Sequence, residues 1–389
     1  MAKPHARVVE LDILRAVAII IIIFAHFNFF LPNVQFSNFA VGTVIHTTII
    51  SFGVALFLFI SGFVLYLNHP SFPQGNGLAD FFKKRVLRIF PLYWLAIATQ
   101  VATGTQFASR IDALVVVLGL QGFLSPRFVT NIFLYWWFIG VILVLYTIYP
   151  LIISLASDGF RLPAWMQSDA LKFALMLIVP FLILGAARSA LFIITDSVFI
   201  FYGIFVLGIA VSKFHLLDKY GFLTDDRTRL LRYVAVFAVS ITALLFIDNV
   251  PWLSANVSAV SRFASFGFSF IEMNVLFLLF SLLAFSLARI IVVSSSQTSR
   301  RPSHAVWYRA LLLISFSSYA VYLFFLPILM HFMYALIDAQ LTALEIDIIQ
   351  ISIGLPIVVV IAFVLQNTQN EILNRVRKFR TASEPYNSP

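Results

Sequence analysis

Apolar runs of about 20 residues recur from one end of this chain to the other, and each is long enough to cross the hydrocarbon layer as a helix. In lipid, every backbone N–H and C=O must be satisfied within the protein, so only helices and closed barrels can span. The runs are continuously apolar and lack the alternation of a membrane barrel. Charged residues make up 11% of the 389 positions, against about 25% in an ordinary soluble domain. The expected fold is all-α, that of a polytopic integral membrane protein.

The runs predict ten transmembrane helices, near 11–31, 46–67, 90–108, 134–156, 170–187, 190–212, 231–249, 265–287, 310–334 and 346–366. A further apolar piece, 111–124, is short, and its length suits a re-entrant or interfacial helix better than a crossing. Charge decides the count. If that piece does not cross, both termini share one side. That side then carries every Lys and Arg except Arg15 in the membrane and Arg110, Arg127, Arg188 and Arg262 opposite. Forcing it across would put the basic loops 213–232 and 289–309 outside, against the positive-inside rule. Ten spans with cytoplasmic termini is the expectation: one membrane domain over 1–370 and a polar cytoplasmic tail over 371–389. The first apolar run lacks a small-x-small cleavage pattern and reads as a retained helix.

The same rule accounts for the formal net charge of +9, so no nucleic-acid partner is implied. The absence of cysteine excludes disulfides, thiolate catalysis and Cys-ligated metals. The seven histidines show no i, i+4 pair of the metal-ligand kind, so no metal is expected. Gly75 and Gly77 form no phosphate-binding fingerprint.

Ionisable residues inside a membrane helix are costly and read as functional. Arg15 and His26 sit in the first apolar run, separated by about 16 Å if the helix is continuous. A guanidinium suits an anion and an imidazole suits proton transfer. Asp12 lies one turn from Arg15, so an intrahelical pair is expected there. Glu272, within a later span, and Asp196, near the start of another, are the acids available to orient a catalytic histidine. Arg85 and Arg88 share a helix face beside Lys83 and Lys84. They suit either an acidic ligand or anionic lipid. Ser61-Gly62 is expected to serve close helix packing.

Several separated motifs resemble the membrane acyltransferase-3 family. The opening Leu11-Asp12-x-Leu14-Arg15-Ala16-x-Ala18, with His26 after it, is similar to that family's arginine–ten residues–histidine signature. Phe57-Leu58-Phe59-Ile60-Ser61-Gly62-Phe63 resembles its second-helix motif, and Arg85-Val86-Leu87-Arg88-Ile89-Phe90-Pro91 its Arg-x-x-Arg-Ile-x-Pro segment. Trp137-Phe138-Ile139-Gly140-Val141, Tyr149-Pro150, and Ser318-Tyr319 with Tyr322-Leu323 follow in the family's order, over roughly 10–365. Two positions depart from it. Ile142 stands where many members have a glutamate, and Phe325 where many have a histidine.

The resemblance implies transfer of an acyl group, acetyl foremost, from cytoplasmic acyl-CoA to a hydroxyl of a carbohydrate, surface polysaccharide or its lipid-linked precursor. It implies His26 as base or acyl-accepting residue, and Arg15, Lys84, Arg85 and Arg88, with Asp12 beside Arg15, on the donor. The expected location is a bacterial cytoplasmic (inner) membrane, with lipid as neighbour and homo-oligomerisation compatible. Two other readings stand beside this one: a transporter of glycans or small acids on the same scaffold, and an inactive partner in a polysaccharide assembly complex.

Overall fold

The computed structural model describes residues 8–32, 40–72, 77–124, 132–156, 168–191, 196–248, 262–297 and 306–383. Helices dominate these residues. They are α1 (Val9–Ala25), α2 (Ala40–Asn68), α3 (Gly77–Ala102), α4 (Arg110–Val117), α5 (Trp137–Ala156), α6 (Asp169–Leu191), α7 (Asp196–Lys213), α8 (Leu216–Lys219), α9 (Arg227–Asp248), α10 (Arg262–Gln297), α11 (Val306–Asp338), α12 (Ala343–Ile349) and α13 (Leu355–Ser383). Among the described residues, six segments are long and apolar enough to cross a bilayer: Ser51–Asn68, Trp137–Leu155, Asp169–Ala187, Met273–Ser294, Tyr308–Asp338 and Ala343–Val376. Outward faces of the last of these expose Ile348, Ile351, Val360 and Val364, a surface that suits lipid. The protein is an integral membrane protein.

Several boundaries differ from those the sequence suggests. The first helix ends at Ala25 and not near 31, continuing as a 3-10 turn over Phe27–Phe29. Helix α3 begins at Gly77, so the basic run 83–88 lies on the helix itself. The piece beginning near 111 forms the eight-residue α4, about 12 Å long and too short to cross. Ser109 caps it, its Oγ accepting from the Asp112 N–H at 3.0 Å. The last helix extends to Ser383, well into the polar tail.

The chain divides into two compact units. The first comprises Met1–Ala18, Ser51–Leu78 and Phe107–Tyr308. Within it, α2 and α7 meet at backbone distance. A Cβ on Gly62 would lie 2.2 Å from the Phe205 carbonyl oxygen, and one on Gly208 would lie 2.2 Å from that of Phe59. Only glycine fits at such a crossing, the use expected of small residues between membrane helices. Gly122 lies as closely against Trp137, while the Gln121 amide donates to the Trp136 carbonyl at 3.1 Å. These contacts hold the turn after α4 on the start of α5. Helix α10 meets α7 through the Phe201–Phe277 stack, with centroids 5.5 Å apart, and through the Asn274 amide donating to the Ile200 carbonyl at 3.1 Å.

The second unit comprises Ile19–Ile50, Ala79–Gln106 and Arg309–Pro389. Here a π-helical turn over Gln350–Gly354 joins α12 to α13. Pro356 lacks an N–H, and the widened turn lets Leu355 N–H reach the Gln350 carbonyl, the kind of local adjustment that lets membrane helices carry proline. The Gln350 side chain, fully buried, donates to the Leu329 carbonyl at 2.7 Å and ties α12 to α11. A capping box at Thr342 and Glu345 starts α12, satisfying two N-terminal donors at once.

Candidate functional site

His26 is the first residue past α1. Its N–H donates to the Ile23 carbonyl at 3.0 Å, and its own carbonyl accepts from Phe29 N–H at 3.0 Å. Ending the helix here turns the side chain back along the last turn, and Nδ1 lies 2.7 Å from the Ile22 carbonyl oxygen. A carbonyl oxygen can only accept, so Nδ1 carries a proton, and in the neutral form of the ring this tautomer puts the lone pair on Nε2. A backbone carbonyl is thus an acceptor for Nδ1. Phe325 packs edge-on against the ring with centroids 5.6 Å apart, and Phe29 lies at 5.7 Å. The side chains of Glu272 and Asp196 lie outside the described residues, although the backbones of both are helical.

The basic run belongs to the same unit as His26. Lys83, Lys84 and Arg88 are exposed and Arg85 is partly covered. The Arg85 guanidinium lies 5.3 Å from the centroid of the buried Phe81 ring, within cation–π range. Further along α3 the helix contains Pro91. Such a proline takes away the donor due to the carbonyl four residues back, here Leu87. Side chains from α11 and α13 meet the carbonyls of this turn. Gln369 Nε2 donates to Leu87 and Arg88, each at 3.1 Å, and the Tyr319 hydroxyl donates to Ile89 at 2.7 Å. The late Ser-Tyr motif therefore packs onto the Arg-x-x-Arg-Ile-x-Pro segment, although some 230 residues lie between them.

Arg15 belongs to the first unit. Its Nη1 donates to Asp12 Oδ1 at 3.3 Å, the expected intrahelical pair. Asp12 is nearly buried, while Arg15 keeps about a quarter of its side chain exposed. One turn before Arg15 lies a group that sequence reasoning missed. Arg289 Nη1 donates to Glu10 Oε1 at 2.7 Å, and Nη2 donates to Asp225 Oδ1 at 2.7 Å and to the Leu223 carbonyl at 2.9 Å. This fork ties the 223–225 turn to the start of α1. Arg289 reads in sequence as one more cytoplasmic cation, and its only local signal is its position at the edge of an apolar run. Gln369 was missed too. The signal available was the carbonyl that Pro91 orphans, which demands a donor from elsewhere.

No group of three or more His, Asp or Glu side chains that could hold a metal ion occurs among the described residues. A family model described as an acyltransferase domain matches residues 8–366. No curated protein and no solved structure matches the chain.

Proposed function

The chain belongs to the acyltransferase-3 family, and on that basis we propose that it transfers an acyl group, acetyl foremost, from cytoplasmic acyl-CoA to a carbohydrate hydroxyl. The observation that carries the reading is the His26 Nδ1 to Ile22 carbonyl bond at 2.7 Å. In the neutral ring this bond makes Nε2 the basic nitrogen, the tautomer a general base at that atom needs.

The chemistry runs through that nitrogen. Nε2 takes the proton of the acceptor hydroxyl as the oxygen attacks the thioester carbonyl carbon. The tetrahedral intermediate collapses with cleavage of the C–S bond, and the imidazolium returns the proton to the departing thiolate. In the covalent variant, Nε2 itself attacks the thioester and the C–S bond breaks to release the thiolate. The hydroxyl oxygen then attacks the acyl-imidazolium carbon, the C–N bond breaks, and the hydroxyl proton goes to the thiolate. Arg85 and Arg88, with Lys84, bind the phosphates of coenzyme A. Guanidinium forks match phosphate oxygens bidentately, whereas lysine serves as a point charge. Arg15, its guanidinium held by Asp12, is a further anion contact.

The topology proposed for this activity has ten spans and cytoplasmic termini in a bacterial inner membrane. Support comes from the distribution of Lys and Arg along the sequence. The acceptor class proposed is a surface polysaccharide or its lipid-linked precursor. The test is release of free thiol from acetyl-CoA by the detergent-purified protein, with water or an added glycan as acceptor. The reading predicts catalysed release, and a transporter on this scaffold gives none.

A further inference from the structure

Among the polar contacts of the second unit, one is built around the proline of α3 and involves a residue that the reaction does not use. A proline inside a helix removes a donor and crowds the carbonyl four residues before it, which opens the turn. At Pro91 the turn concerned is the one that carries Arg88.

Three successive carbonyls of that turn are held from outside the helix. The Gln369 amide donates one N–H to Leu87 and the other to Arg88, and Tyr319 donates to Ile89. Carbonyl oxygens accept only, so it is the nitrogen of the Gln369 amide that faces them. Its other end is fixed as well, because Gln369 Oε1 accepts from Gln366 Nε2 at 3.2 Å. Gln366 and Gln369 are both buried, 7% and 6% exposed. Two buried amides one turn apart, near the end of the last apolar run, are costly unless bonded. The Gln369 amide is bonded at both ends, to α3 and to Gln366 Nε2. Gln369 lies past residue 366, where the family match ends.

We propose that Gln369 is a positioning residue for donor binding. By bonding the Leu87 and Arg88 carbonyls, it sets the bend at Pro91 and with it the direction in which α3 presents Arg85 and Arg88. The inference rests on the reading of those two arginines as phosphate ligands of coenzyme A.

The experiment is a calorimetric titration of the full-length, detergent-purified protein with coenzyme A, paired with steady-state thiol release from acetyl-CoA. Gln369→Met keeps the length of the side chain and removes both donors. It is expected to weaken coenzyme A binding by about five- to tenfold, in line with two lost hydrogen bonds, and to raise KM for acetyl-CoA with kcat unchanged. Gln369→Lys keeps a donor and should bind within about twofold of the unsubstituted protein. Pro91→Ala returns an N–H to Leu87, so adding Gln369→Met to it should cost less than it does alone. Should Gln369→Met not fold, Gln369→Leu, which also lacks the donors and adds no charge, takes its place. Unchanged affinity in these variants, or an equal loss with and without Pro91→Ala, overturns the positioning role. Failure of the unsubstituted protein to bind coenzyme A overturns the donor reading and this inference with it, a result distinct from binding that Gln369 does not affect.

Discussion

The Phe325 ring meets the His26 imidazole edge-on, with centroids 5.6 Å apart and planes at 78°. Phe325 stands where the family resemblance leads to an expected histidine, and here it gives the imidazole an apolar neighbour. Phe325 is buried, and the contact restrains the ring that the Ile22 carbonyl already orients. Aromatic pairs of this geometry contribute about 0.5–1.5 kcal/mol beyond area burial. Phe325→Ala is expected to lower kcat for thiol release several-fold while KM for acetyl-CoA stays within about twofold. Steady-state kinetics in detergent check it, and a change in KM alone would show that Phe325 serves the donor instead.

Arg88 is exposed on α3, where a charge-assisted phosphate contact is worth about 1.5–3 kcal/mol. Arg88→Ala is expected to raise KM for acetyl-CoA by about 10- to 100-fold. Arg88→Lys should recover only part of this, because lysine keeps the charge and loses the fork. Equal kinetics for Arg88→Ala and the unsubstituted protein would return the basic run to a lipid-facing role.

The helix positions were largely legible, because continuous apolar runs are a strong signal. The end of α1 was not. Phe27, Phe29, Phe30 and Leu31 continue the apolar pattern beyond Ala25, so nothing at that point of the sequence marks the stop. The start of α3 was hidden for the opposite reason, since Lys83, Lys84, Arg85 and Arg88 interrupt hydropathy without interrupting the helix. At the site, the Asp12 partner of Arg15 could be read from sequence. The tautomer of His26 could not, since it depends on where the helix ends. Nor could Gln369, whose partners lie 282 residues away.

Gly62 sits where a Cβ would press on the Phe205 backbone oxygen at 2.2 Å. A backbone atom in a packed helix cannot step aside as a flexible side chain can, so overpacking is relieved only by moving α2 from α7. Gly62→Ala is expected to cost about 1–3 kcal/mol, read as a lower thermal midpoint in detergent. Gly185, with open space around its Cβ position, is the control. Gly185→Ala should leave the midpoint unchanged or raised.

Glu10 is buried, and Arg289 is the cation that pairs with it. Removing one partner of such a pair leaves an uncompensated charge. Arg289→Ala is expected to destabilise the protein by about 1–3 kcal/mol, and Glu10→Gln with Arg289→Ala should recover part of that loss. A double variant no more stable than Arg289→Ala would show that the bonds to the 223–225 turn carry the effect instead.

The most direct test of the account compares thiol release from acetyl-CoA by the unsubstituted protein and by His26→Ala, both shown by titration to bind coenzyme A. Loss of a general base should slow the reaction by about 10²- to 10⁴-fold while binding is retained. A His26→Ala variant that releases thiol at the rate of the unsubstituted protein would contradict the account.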